Sequence, residues 1–147
     1  MEFQTTAHKN CYEKVAKWMR ELFGEFAMAR EDAPLIAVVI GSAVAQAGVY
    51  PWGNDDSTIT TRAYVVTGTE LTPDLMHFLL RQNADMRFGA FGVDNDNDIF
   101  FEHTIVGSSC DKNELKASVL AVVTTADRFD DQIVARWGGQ RALDRAQ

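Results

Sequence analysis

Five consecutive residues, Asp94-Asn95-Asp96-Asn97-Asp98, carry the densest oxygen-donor chemistry in the chain. Hard divalent cations need several carboxylate oxygens held close together, and the run opens like a calcium-binding loop. Its continuation departs from that pattern, because the loop positions that an EF-hand fills with Gly and Glu hold Ile99 and Ile105. The run therefore reads as a solvated hairpin turn chosen for Asx chemistry, with a weak, adventitious cation site as the alternative. Cys110 precedes a helix start, where backbone N–H groups and the helix dipole lower a thiol pKa, but the neighbouring Asp111 opposes the thiolate. Cys11 and Cys110 form no CxxC and no Cys/His cluster, so neither a zinc site nor a disulfide framework is suggested.

His8, His77 and His103 share no spacing. Catalytic sites do assemble from distant positions, yet His77 reads as a polar helix position and His103 as a strand residue at the core edge. Gly41, Gly89 and Gly92 lack the strand-to-helix context of a phosphate loop and read as a turn and two close backbone approaches. No catalytic residue, metal or cofactor is assigned, and a non-enzymatic protein is expected. Binding has better candidates. Asp127, Asp130 and Asp131 form an acidic set on a helix, readable as a surface for basic segments or simply as a solvated face. Trp52, after Pro51, and Phe100, on the second face of its strand, are the expected exposed aromatic anchors, since aromatics dominate binding hot spots. Phe91 is assigned to the core.

These side chains need elements to hold them. Apolar residues at Tyr12, Val15, Met19, Leu22 and Phe26 predict an amphipathic helix over 10–28, with Asn10 and Glu13 as its capping pair. β-Branched residues and turn formers predict strands over 35–40, 43–50 and 57–67; the Ala-rich stretch 43–47 leaves a helix as the alternative to the second. Thr72-Pro73-Asp74 is a helix start, with an apolar face through Leu75, Phe78 and Leu79. A hairpin follows, with strands over 88–94 and 98–106. Ile99, Phe101, His103 and Ile105 share one face and Phe100 lies on the other. Asp111 with Glu114 predicts a capping box opening a long helix, whose stripe runs from Leu115 to Trp137 and stops at Gly138-Gly139. Residues 140–147 are expected to fray. The order helix, three strands, helix, two strands, helix predicts an α+β fold with a largely antiparallel sheet of about five strands, in one domain spanning 1–147.

Composition agrees. The chain has 147 residues, 46% hydrophobic, with 14 Lys plus Arg against 21 Asp plus Glu and a net charge of −7. That is enough chain to bury a core without disulfides or metals. The acidic balance argues against nucleic acid and anionic membrane as partners, because both need a cationic surface. The N-terminus lacks the cationic start and apolar run of a signal peptide, and no stretch is apolar enough to span a bilayer, so a cytoplasmic location is expected.

An ordered set of short pieces carries a resemblance: Val66-Thr67-Gly68, Leu75 with Leu79-Leu80 and Asn83, Phe88-Gly89-Ala90-Phe91-Gly92-Val93-Asp94, Ile99-Phe100-Phe101, and Ala126-Asp127 through Asp130-Asp131-Gln132-Ile133 to Gly138-Gly139. Over roughly 35–139 the chain resembles the YbjN-like family, bacterial sensory transduction regulators similar in fold to type III secretion chaperones. The resemblance implies a three-helix, antiparallel-sheet protomer that pairs as a homodimer and binds segments of other proteins without turning over a substrate. The expected function is a chaperone-like adaptor or regulator with an unidentified polypeptide partner; the alternative is a small-ligand or metal-sensing regulatory domain.

Overall fold

The computed structural model describes residues 1–145. The chain opens with α1, Thr6–Phe23. It starts a turn earlier than the periodicity suggested, and Asn10 lies within it. The cap is Thr5, whose side chain accepts from the His8 N–H at 3.0 Å. Tyr12, Val15 and Met19 supply the buried stripe, whereas Phe26 falls beyond the helix and is exposed. Gly24, at φ 57°, turns the chain out of the helix into a short 3-10 turn and a strand that sequence reading missed, β1, Ala27–Ala29.

Three strands follow: β2, Leu35–Ile40; β3, Ala43–Trp52; and β4, Asp56–Thr67. The Ala-rich stretch is strand. Ala43, Ala45, Ala47 and Val49 are buried while Val44, Gln46 and Tyr50 are exposed, the period of two that a half-covered sheet imposes. Small residues on the covered face let helices pack close to the sheet.

The second helix, α2, is Pro73–Asp85, capped by the Thr72 side chain with Pro73 at its start. The hairpin strands are β5, Ala90–Val93, and β6, Ile99–Val106, shorter at the first strand than expected. The long helix α3, Lys112–Trp137, opens with the expected capping box: Glu114 N–H donates to Asp111 at 2.7 Å, and Asp111 N–H donates to Glu114 at 3.2 Å.

The expected frayed tail is partly ordered. Gln140–Arg141 forms β7, which pairs with Val66 and Thr67 of β4, and Ala142–Arg145 forms α4. The Thr69 hydroxyl donates to the Gly138 carbonyl at 2.5 Å, and Arg141 closes on Asp144, so tertiary contacts hold a segment with no periodicity of its own. The remainder of that expectation, 146–147, lies outside the described residues.

The fold is α+β, as the element order predicted, with seven strands among the described residues in place of about five. The sheet runs β1-β2-β3-β4-β6-β5, every pairing antiparallel, with β7 on β4 beyond the start of β3. One face is covered by α1 and α3. Val15, Met19, Val38, Ile59, Phe101, Val119, Phe129 and Ile133 are fully or almost fully buried between them. Burial of such side chains, at about 25 cal/mol per Å² of apolar surface, is the main source of stability.

Candidate functional site

Among the described residues α4 packs only at one end of β3 and β4, and no long helix covers the other face of the sheet. Register places Met28, Ala37, Gln46, Arg62 and Glu102 in one row across it. Its two halves differ. On β4 and β6 the face is polar and internally paired: the Thr60 and Thr104 hydroxyls meet at 2.8 Å, and Arg62 donates to Glu102 at 2.7 and 2.9 Å. Toward β1 it is apolar. Phe26, Met28, Val44, Tyr50 and Trp52 are 42–58% exposed. Five of the exposed large apolar side chains thus lie on this half of the face, and exposed apolar surface of that kind is a candidate for binding.

The two edges of the sheet are treated differently as well. At β5 the outer edge is closed by a side chain: Asn83 of α2 accepts from the Phe91 N–H at 2.7 Å and donates to the Phe91 carbonyl at 3.2 Å. The amide thus takes the place of a further strand. At β1 the only strand neighbour among the described residues is β2, so the outer edge of Ala27–Ala29 presents its backbone to an incoming strand.

Trp52 is 57% exposed at the end of β3. Phe100 is not the exposed anchor expected of it. Its ring is 8% exposed, lies over Gly92, meets Tyr64 edge-on at 6.1 Å and carries the Arg62 guanidinium at 3.9 Å. A glycine opposite a large aromatic leaves room for the ring to lie down on the sheet. The acidic set is divided. Asp127 is exposed and accepts from the Ser42 hydroxyl; Asp131 is exposed and stands 3.7 Å from Arg141. Asp130 is 6% exposed. Burial pushes its carboxyl above the ordinary aspartate range, the charges of Asp131 and Asp127 push it further, and Arg141 opposes them. Trp52 and the acidic set stand toward opposite ends of β3, so they do not form one site.

The Asp94–Asp98 turn satisfies itself. One Asp94 oxygen accepts from the N–H groups of Asp96 and Asp98, both at 2.9 Å, and the other from the Tyr64 hydroxyl at 2.9 Å. Among the described residues no three His, Cys, Asp or Glu side chains are grouped to hold a metal ion. Cys110 is buried, and burial followed by the Glu114 charge pushes its thiol up to about 11, overriding the helix-start effect. Lys14 of α1 lies close by, but its ammonium donates to the Gly107 and Cys110 carbonyls at 2.7 and 3.5 Å and ties α1 to the start of α3. His8 is buried with its Nε2 at 2.8 Å from the Val49 carbonyl. His103 has Nδ1 2.8 Å from the Ser118 hydroxyl, and burial pushes its imidazole down; His77 is exposed on α2. The three sit on different elements. Sequence reasoning missed β1 and the Asn83 clamp; in Arg81-Gln82-Asn83-Ala84-Asp85 the Asn is one polar residue among several and carries no signal of its own.

Among the described residues no helix is long and apolar enough to cross a membrane. The chain matches, over residues 10–145, the family described as "TY-Chap1: T3SS (YopN, CesT) and YbjN peptide-binding chaperone 1". No curated protein matches it significantly in sequence. Its fold is similar to that of several solved structures, among them the following. A chain of the ExsC-ExsE complex superposes with a TM-score of 0.63 at 11% identity, covering 84% of this chain and 93% of that one. For the HopA1-SchA chaperone-effector complex the TM-score is 0.62 at 7% identity, over 84% and 96%. For the Yersinia pestis type III secretion chaperone SycH in complex with a stable fragment of YscM2 it is 0.53 at 17% identity, over 80% and 98%.

Proposed function

The chain belongs to the family of T3SS (YopN, CesT) and YbjN peptide-binding chaperones, and from that premise we propose that it binds an extended segment of another polypeptide by strand addition at β1. The carrying observation is the asymmetry of the edges: β5 is closed by Asn83, while β1 is open and adjoins exposed Phe26 and Met28. Backbone pairing at an open edge supplies affinity, and alternate side chains of the added strand supply specificity by settling on the apolar half of the face. Trp52 and Tyr50 are the aromatic anchors of that half. The protein acts as a chaperone-like adaptor or regulator of the YbjN-like type, cytoplasmic and homodimeric, and without turning over a substrate.

The test starts from displayed twelve-residue peptides selected against the full chain, followed by hydrogen exchange of the complex. Selected peptides should alternate apolar and polar residues, and their binding should slow exchange at Ala27–Ala29. Met28→Glu should weaken them about tenfold, since it sets a desolvated charge against an apolar strand. Peptides that protect none of those amides, or that ignore Met28→Glu, would overturn the reading.

A further inference from the structure

Along the edge of β4 away from β6, β3 pairs as far as Ala63 and β7 begins at Val66. Between those two pairings no strand lies against β4 among the described residues. A β-bulge sits at the same point, between Tyr64 and Val66. This window in the sheet holds a cavity of about 290 Å³. Ala43 and Val65 of the sheet, Ala126 of α3 and Leu143 of α4 give it apolar walls, and Gln46 and Tyr64 stand on the outer face at its rim.

Asp130 reaches this window from the helix layer. One carboxylate oxygen accepts the Asp131 N–H at 2.6 Å, and the other makes no hydrogen bond among the described residues. Asp130 is 6% exposed, and a carboxylate so largely withdrawn from water gains from a donor that reaches its second oxygen through the cavity. Two nearby arginines are committed elsewhere. Arg62 also lines the cavity, but Glu102 holds its guanidinium and Phe100 stacks on it. Arg141 is held by Asp144 at 2.9 and 3.1 Å. Asp127 and Asp131 add negative field to the site.

An apolar slot that ends on a free anionic oxygen complements an alkyl stem tipped by a cation. We propose that the window receives a lysine side chain of the bound polypeptide, with Asp130 as its counter-ion. A single free oxygen suits the compact ammonium better than the guanidinium fork, which pairs best with two. The inference rests on the polypeptide-binding reading for the source of the lysine alone; the slot itself is independent of β1.

The probe is N-acetyl-lysine N-methylamide, titrated into the ¹⁵N-labelled full chain, with the arginine and norleucine counterparts as controls. The lysine probe should give saturable amide shifts confined to 43–46, 126–131 and 140–144, the arginine probe weaker ones, and norleucine none. Asp130→Asn should weaken lysine binding about tenfold, as should Ala142→Phe, which fills the slot and leaves the carboxylate in place. Equal response to lysine and norleucine, no saturable shift, or retained binding in either folded variant would overturn the proposal. Met28→Glu should leave this titration unchanged, so failure here and failure of strand addition at β1 give different results.

Discussion

Phe91 and Phe100 are nearly opposite each other in the β5–β6 hairpin, and their fates show what a residue owes to its neighbours. Phe91 points into the helix layer, 7% exposed, with its ring edge-on to Phe101 at 5.0 Å and to Phe129 at 5.3 Å. Sequence reading assigned it to the core, and there it is buried. Phe91→Ala should destabilise the protein by about 3–5 kcal/mol in chemical denaturation, from lost burial plus the cavity left behind; an unchanged midpoint would contradict the core assignment. Phe100 lies on the opposite face, where alternation alone would expose it. It is covered because Gly92 offers no side chain across the hairpin and Arg62 lies over the ring. A Cβ at Gly92 would come within 2.6 Å of that ring. Facing a glycine across a strand pair was the legible signal, but using it required the register.

At the scale of elements, the legible boundaries were those written in side chains that satisfy free helix N–H groups. Thr72-Pro73 and the Asp111/Glu114 box are local chemistry, readable without a partner. β1 and β7, of three and two residues, have too few positions for a hydrophobic period, and their hydrogen bonds come from strands remote in sequence. Asn83 belongs to the same class: an amide that caps an edge strand is indistinguishable in sequence from a polar residue on a helix surface. Asn83→Ala should cost about 1–3 kcal/mol, because the Phe91 N–H and carbonyl lose their partner. It should also leave a second sheet edge open, read as concentration-dependent association in sedimentation velocity. Wild-type association and stability in that variant would show that the clamp is dispensable.

The whole molecule sums opposing titrations. Burial holds His103 below the ordinary imidazole range, so the unfolded chain takes that proton first. Its contribution is present above about pH 6.5 and lost as pH falls through the folded value. Asp56, held down by the Ser108 hydroxyl, and Asp94, held down by the Asp98 N–H, contribute above about pH 4 and lose that contribution on further acidification. Asp130 has the opposite sign. Burial raises it, with Asp127 and Asp131 adding and Arg141 opposing, so its contribution is present below about pH 4 and lost as pH rises through the folded value. The melting temperature should therefore fall as pH drops below about 4, where Asp56 and Asp94 lose their contributions and Asp130 has no more to add. Asp130→Asn should melt above the parent at pH 7, with the gap closing toward pH 4. A gap that does not change with pH would remove the ionised, buried carboxylate from the account.

The sequence by itself determined the α+β class, the order of the principal elements and most of their caps, because periodicity and capping act over a few residues and need no distant partner. The resemblance carried in its scattered short pieces pointed to the chaperone family that the whole-chain match then established. Only the tertiary structure decided which edge of the sheet is open, that Phe100 is covered, and that Asp130 parts from Asp127 and Asp131 to face a window between β3 and β7. Each of these depends on which strand lies beside which and in what register. That information is held in contacts between residues tens of positions apart, and no local spacing encodes it.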